Sequence, residues 1–125
     1  MSYSMYIINK KTSEPVRFPW KHLFHGSNMA VGGTDSAYMN VTYNYGKILR
    51  ESLGGDGLKD FHGKNIRETL EPLKTAIASL GDEKPDDDYY APTKGNVKLA
   101  LQGLLSLNDL ALDYFPSEEM VWDVC

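Results

Sequence analysis

The sequence predicts an α+β domain in which a small antiparallel sheet, made from both chain ends, packs on about three helices. Three features carry that expectation. Tyr3 to Ile8 and Met120 to Val124 are rich in aromatic and β-branched residues, the composition of strands. Helical spacing recurs over three segments, near 40–53, 66–80 and 94–115. A chain of 125 residues has room for one core, so residues 1–125 read as a single domain.

Taken in order, the strand Tyr3–Ile8 gives way to polar turn residues, Asn9 to Ser13, and Val16-Arg17-Phe18 alternates as a return strand. Pro15 and Pro19 confine that strand to an edge or keep it short, because proline cannot donate to a ladder. Trp20 to Ser36 has no periodicity and reads as a structured loop, a common place for function. In a first helix from about Asn40 to Leu53, Val41, Tyr45, Ile48, Leu49 and Leu53 form the buried stripe. Gly54-Gly55-Asp56-Gly57 stops it. Ile66, Leu70, Leu73, Ile77 and Leu80 mark one face of the second helix, and Gly81 ends it. Pro72 predicts a kink or a start at Thr69, since an interior proline costs about 3 kcal/mol. Thr93 caps a third helix running to about Phe115, whose apolar arc is so wide that several neighbours must cover it. Leu101, Leu104, Leu105 and Ala111 are its expected core positions.

Composition excludes several classes. A net charge of −4 with scattered basic residues argues against a nucleic-acid surface. The acids at Asp86-Asp87-Asp88 and Glu118-Glu119 are too few for a mimic of DNA, and they lack the alternation and glycine of a calcium loop. No stretch has the apolar length of a membrane span, and the start lacks a basic leader, so the expectation is a cytoplasmic protein without membrane contact. A lone Cys125 forms no internal disulfide; on an expected mobile terminus it is also a poor nucleophile.

The stretch Asn40-Val41-Thr42-Tyr43-Asn44-Tyr45-Gly46-Lys47 puts amides and phenols where plain helix formers would serve. As a helix it aligns Asn40, Asn44, Lys47 and Glu51 opposite the buried stripe, a set able to hold a polar ligand by several hydrogen bonds. Asn40 is equally a plausible N-cap before a solvated face. At Tyr89-Tyr90-Ala91-Pro92-Thr93-Lys94-Gly95-Asn96, the helix entry offers free N–H groups to an anion, with Gly95 allowing close approach and the tyrosines free to stack a ring. The plainer alternative is a capped entry with two tyrosines packed on the core. Gly32-Gly33-Thr34 is no dinucleotide fingerprint, since no GxGxxG follows a strand; Gly33 and Thr34 read instead as permitting a positive φ or a close backbone contact. His62 and Lys64 could set a donor and a cation beside an anion. His22 and His25 could ligate zinc if a carboxylate joined them, although HxxH in a loop lacks the glutamate of a zinc-protease helix.

Several of these patterns resemble, in combination, a family of small uncharacterised proteins found in phages, prophages and bacterial genomes. The matching residues are Met1-Ser2-Tyr3 with Ile7, Gly32-Gly33-Thr34, and Asn40 through Tyr45. They continue with His62-Gly63-Lys64, Leu80-Gly81, Asp87 through Thr93, Gly95-Asn96 and Val121-Trp122-Asp123. The resemblance implies a phage or prophage setting and no mechanism. This chain departs from the pattern in carrying Tyr90 where tryptophan is expected.

Three functions remain open from residues alone. The first is a binding protein without turnover or cofactor, in which the Gly32–Asn44, His62–Lys64 and Tyr89–Asn96 clusters converge on a small anionic or nucleotide-like ligand. In a phage, such a protein could sequester a host immune signal. The second is an interaction protein that binds a host protein or assembles as an oligomer, a homodimer for example, through the surplus apolar face of the third helix and the aromatics Phe18, Trp20 and Phe24. The third is a hydrolase using His25 or His62 with an aspartate or a metal; residue types support it and spacing does not.

Overall fold

The computed structural model describes residues 2–28 and 32–125. The 29–31 part of the expected loop, and Met1 of the resemblance, lie outside the described residues. The α+β expectation holds. A four-stranded antiparallel sheet has the order β3-β5-β1-β6, with β1 (Ser2–Asn9), β3 (Ser27–Asn28), β5 (Tyr38–Thr42) and β6 (Met120–Val124). Both chain ends supply its strands: β1 lies between β5 and β6, with Tyr6 opposite Tyr38 on one side and Asp123 on the other. A second, two-stranded sheet pairs β2 (Arg17–His22) with β4 (Thr34–Ser36). The helices are α1 (Gly46–Leu53), α2 (Leu70–Ser79) and α3 (Lys94–Tyr114).

Alternation along β1 decides which sheet face meets the helices. Tyr3, Met5 and Ile7 are buried, as are Met39 and Val41 of β5 and Trp122 of β6. Leu49, Leu73, Ala76, Val97, Ala100, Leu101, Leu104, Leu107 and Ala111 close the core from the helix side. The residues between them on the strands, Ser4, Tyr6, Tyr38, Asn40 and Asp123, point to the other face and stay half-exposed.

Several expectations need correction. Asn40 to Thr42 is strand, not helix, because Val41 and Thr42 gain a ladder partner in β1, and β-branched residues suit that pleat. The helix proper begins only at Gly46, after a 3₁₀ turn over Tyr43–Tyr45, and the capping side chain is Thr42, which accepts from Asn44 N. Asn40 is therefore no N-cap, and Asn40 and Asn44 do not join Lys47 and Glu51 on the α1 face. The return strand after the first turn does not continue as a hairpin either. Val16 bonds to Ile7 and Ala37, and then β2 leaves to form the small sheet. Leu105 is half-buried, so it does not belong with Leu101, Leu104 and Ala111 at the core. Last, Cys125 exchanges both backbone hydrogen bonds with Ser4, so the expected mobile terminus is tied into the sheet with its thiol exposed.

The expected loop from Trp20 to Ser36 also departs from expectation, because its described residues include the end of β2 and all of β3 and β4, which gain ladder partners. The remaining elements follow the sequence. Pro72 falls in the first turn of α2, whose cap residue is Thr69, a position where a missing N–H is harmless. The cap of α3 is Thr93, whose hydroxyl accepts from Asn96 N at 3.1 Å.

Candidate functional site

A cavity of 390 Å³ opens between the outer sheet face and the small sheet, within the range of small-molecule sites. Tyr6, Tyr38, Met39 and Asn40 line it from the main sheet, Asn28 from its edge strand, and His22, Thr34 and Ser36 from the small sheet. Leu23 and Phe24 close one side. Cross-strand pairing builds this wall, because Tyr6 opposes Tyr38 and Asn28 opposes Asn40. The tyrosine rings meet edge-on with centroids 4.5 Å apart.

The polar groups of the wall are held in fixed order. Asn28 Nδ2 donates to Asn40 Oδ1 at 2.6 Å, and Asn40 Nδ2 donates to Ser4 Oγ at 3.3 Å. His22 is buried, with Nε2 2.6 Å from the Ser36 carbonyl and Nδ1 accepting from Phe24 N at 3.3 Å. Those two bonds assign the proton to Nε2 and leave neither nitrogen free for a metal. His25 stands apart with its ring edge-on to Tyr89; its Nδ1 is buried without a partner, as is Ser27 Oγ. Among the described residues, no group of three His, Cys, Asp or Glu side chains could hold a metal ion. Burial raises the Tyr6 phenol above the ordinary tyrosine value, helped by Tyr38, Cys125 and Asp123.

The 82–92 segment crosses the end of β5 like a strap. Asn96 organises it from beneath: its carbonyl accepts from Asp86 N, and its amide donates to Asp88 O and Ala91 O at 3.0 and 2.8 Å. Asn44 Nδ2 donates to the Tyr90 carbonyl at 3.0 Å, and the Tyr45 phenol donates to the Tyr89 carbonyl. Tyr90 then reaches back, and its hydroxyl donates to Asn28 Oδ1 at 2.8 Å. The NVTYNY run and the DYYAPTKGN run are thus spatial neighbours, joined by the Asn44 and Tyr45 side chains.

The expected site residues divide accordingly. Thr34 and Asn40 line the cavity, and Gly33 supports it, with φ +77° and no room for a Cβ against the His22 carbonyl. Asn44, Tyr89, Tyr90, Thr93 and Asn96 belong to the strap and its clasp. Thr42 is a buried cap, Tyr43 is exposed with its ring against Tyr3, and Lys47 is exposed on α1. The helix entry is already filled by the chain itself: Gly95 N donates to the Glu83 carboxylate at 3.2 Å, and Lys84 backbone covers Gly95. His62 and Lys64 lie beyond the other edge of the sheet, where they flank β6: His62 Nδ1 accepts from Val124 N, and Lys64 O accepts from Trp122 N. From Asn40 that is three strand spacings of about 4.8 Å, roughly 14 Å, so they share no cavity with it.

Sequence reasoning missed Tyr6, Asn28, Ser36 and Tyr38. Reading Tyr38–Thr42 as a strand would have exposed the signal, since Tyr38 and Asn40 then fall on one face at period 2. No family model matches the chain, and neither a curated protein nor a solved structure matches it.

The clasp has a pH signature. Burial raises the Tyr45 phenol above the ordinary tyrosine value, with Asp88 and Tyr90 adding to the rise. A phenol raised on folding contributes stability in full below the unfolded value and loses it as pH climbs through the folded one. Melting temperatures from about pH 9 to about pH 11 should therefore fall, and Tyr45→Phe should flatten the fall. An equally steep decline in the variant would assign it to other groups.

Proposed function

We propose that this chain is a small binding protein without turnover, and that its cavity takes the flat ring of a nucleotide-like ligand. The observation that carries the reading is the chemistry of the lining. It offers two carboxamides, two hydroxyls and two phenol rings beside an imidazole already bonded at both nitrogens, and its described residues include no Lys, Arg, Asp or Glu. Amides and hydroxyls pair with the donors and acceptors of a heterocycle edge, and aromatic rings accept its face or its rim. An anionic tail would have to sit outside this lining. Holding a ligand without transforming it suits sequestration of a host signal, the role a phage setting would imply.

Thermal-shift measurements with nucleosides and nucleotides test the reading. A ligand at about 100 times its Kd should stabilise the fold by about 2.7 kcal/mol, and Tyr38→Leu should abolish that gain. A gain of equal size in Tyr38→Leu would move the site elsewhere, and no gain from any probe counts against the proposal.

An interaction role draws on a different observation. Leu23 is 58% exposed and Leu99 36%, and with Phe24 they border an apolar groove of 320 Å³ beside α3. A mass above the monomer in solution, or a defined complex, would favour that role.

A further inference from the structure

We propose that Tyr90, a strap residue outside the cavity lining, fixes the orientation of the Asn28–Asn40 amide pair and so selects which heterocycle edge the cavity accepts. The inference rests on the reading of the cavity as a ring-binding site.

A carboxamide has an oxygen end and an NH₂ end of nearly equal size, so rotating it by half a turn exchanges acceptor for donor at little steric cost. In a facing pair the two ends must be complementary. Asn28 donating to Asn40 and Asn40 donating to Asn28 are therefore alternatives of similar energy until a third group breaks the tie. Ser4 cannot break it, because its hydroxyl donates or accepts equally well. Tyr90 can. A phenol O–H is a strong donor, while its oxygen is a weak acceptor because the lone pair is drawn into the ring. At 2.8 Å from Asn28 Oδ1 it selects the state in which the Asn28 oxygen faces the strap and the Asn28 nitrogen faces Asn40.

Tyr90 is itself held for this task. Its N–H donates to Asp88 Oδ1 at 3.0 Å, and its carbonyl accepts from Asn44. The carbonyl before it accepts from Tyr45. None of these anchors depends on the cavity, so the phenol serves as an outside reference. In the selected state each amide still has one N–H and one oxygen lone pair uncommitted within the pair and its relay. A donor–acceptor pair of that kind can read the edge of a heterocycle in two contacts, as Asn does with adenine. Flipping the pair would reverse the order of donor and acceptor along the wall. Ligands of equal shape with exchanged donor and acceptor would then trade places: adenosine against inosine, and cytidine against uridine.

The test uses those four nucleosides with the full chain and the variants Tyr90→Phe and Ser4→Ala. Wild type should favour one member of an isosteric pair by about tenfold or more, the usual effect of leaving a buried polar group unpaired. Tyr90→Phe should shrink that preference to about threefold or less. Ser4→Ala also removes a bond from the relay but not the reference, and should keep the preference. Without any ligand, the Asn28 and Asn40 side-chain NH₂ signals in nitrogen-15 spectra should shift, or exchange faster, in Tyr90→Phe. Unchanged signals would overturn the proposal whatever binds, and so would an undiminished preference in Tyr90→Phe. Altered signals together with no nucleoside binding to wild type would instead remove the ring-binding reading, and the selectivity with it, while the ordering by Tyr90 stands.

Discussion

Replacing Trp122 with alanine should destabilise the fold by about 3–5 kcal/mol, a large share of what a domain of this size possesses. Trp122 is fully buried on β6, opposite Ile7 and 6.1 Å from the ring of Phe61. Its indole N–H donates to Thr69 Oγ1 at 2.8 Å. That hydroxyl lies 2.9 Å from Ile66 O and 3.1 Å from Asn108 Oδ1, and Asn108 Nδ2 donates to Ile66 O. One indole thus joins the sheet to the entry of α2 and to the middle of α3 through fully buried polar groups. Trp122→Phe separates the two contributions. It refills much of the space and leaves the Thr69 hydroxyl without its donor, so it should cost about 1–3 kcal/mol. Urea unfolding of both variants measures the difference. Equal losses would place the whole effect in the hydrogen bond, and a near-neutral Trp122→Ala would remove the indole from the core.

The buried Thr69–Asn108–Trp122 network was not legible in the sequence, and the reason is general. Asn108 sits in the long apolar run of α3, and Thr69 looks like an ordinary residue near a proline. Pairing between them depends on how two helices and a strand meet, which no local pattern records. What was legible depends on periodicity. Thr93 with Asn96, the apolar stripes of α2 and α3, and the strand compositions at both ends each carry a local physical reason, and each element forms. The 40–53 segment misled because its apolar residues suit either element. Val41, Tyr45 and Leu49 are buried as a helix would require, yet Val41 reaches the core from a strand and the other two from the turn and helix after it. That change of element moved Asn40 from a helix face to the sheet face, where it meets Asn28 and lines the cavity. The candidate residues divide between the cavity and the strap for the same reason. Proximity of the NVTYNY and DYYAPTKGN runs is a tertiary fact, and Asn44 and Tyr45 direct their side-chain donors to the Tyr90 and Tyr89 carbonyls.

The facing of α3 yields the second large effect. Val97, Ala100, Leu101, Leu104, Leu107 and Ala111 are buried at helical spacing, while Leu105 lies one step around the helix and keeps contact with solvent. Leu104→Ala should therefore cost about 2–5 kcal/mol, because the site leaves a cavity that fixed neighbours cannot fill. Leu105→Ala should cost about 1 kcal/mol, as part of its side chain stays in contact with solvent. The comparison is clean. Both changes occur mid-helix between the same residue types, so the gain in intrinsic helix preference is common to both and cancels. The residual difference reports burial alone. Equal costs measured by urea unfolding would mean that a partner covers the Leu105 side in solution, and a larger cost at Leu105 would mean that α3 is turned the other way. A concentration-dependent cost at Leu105, with none at Leu104, would identify that partner as a second copy of the chain.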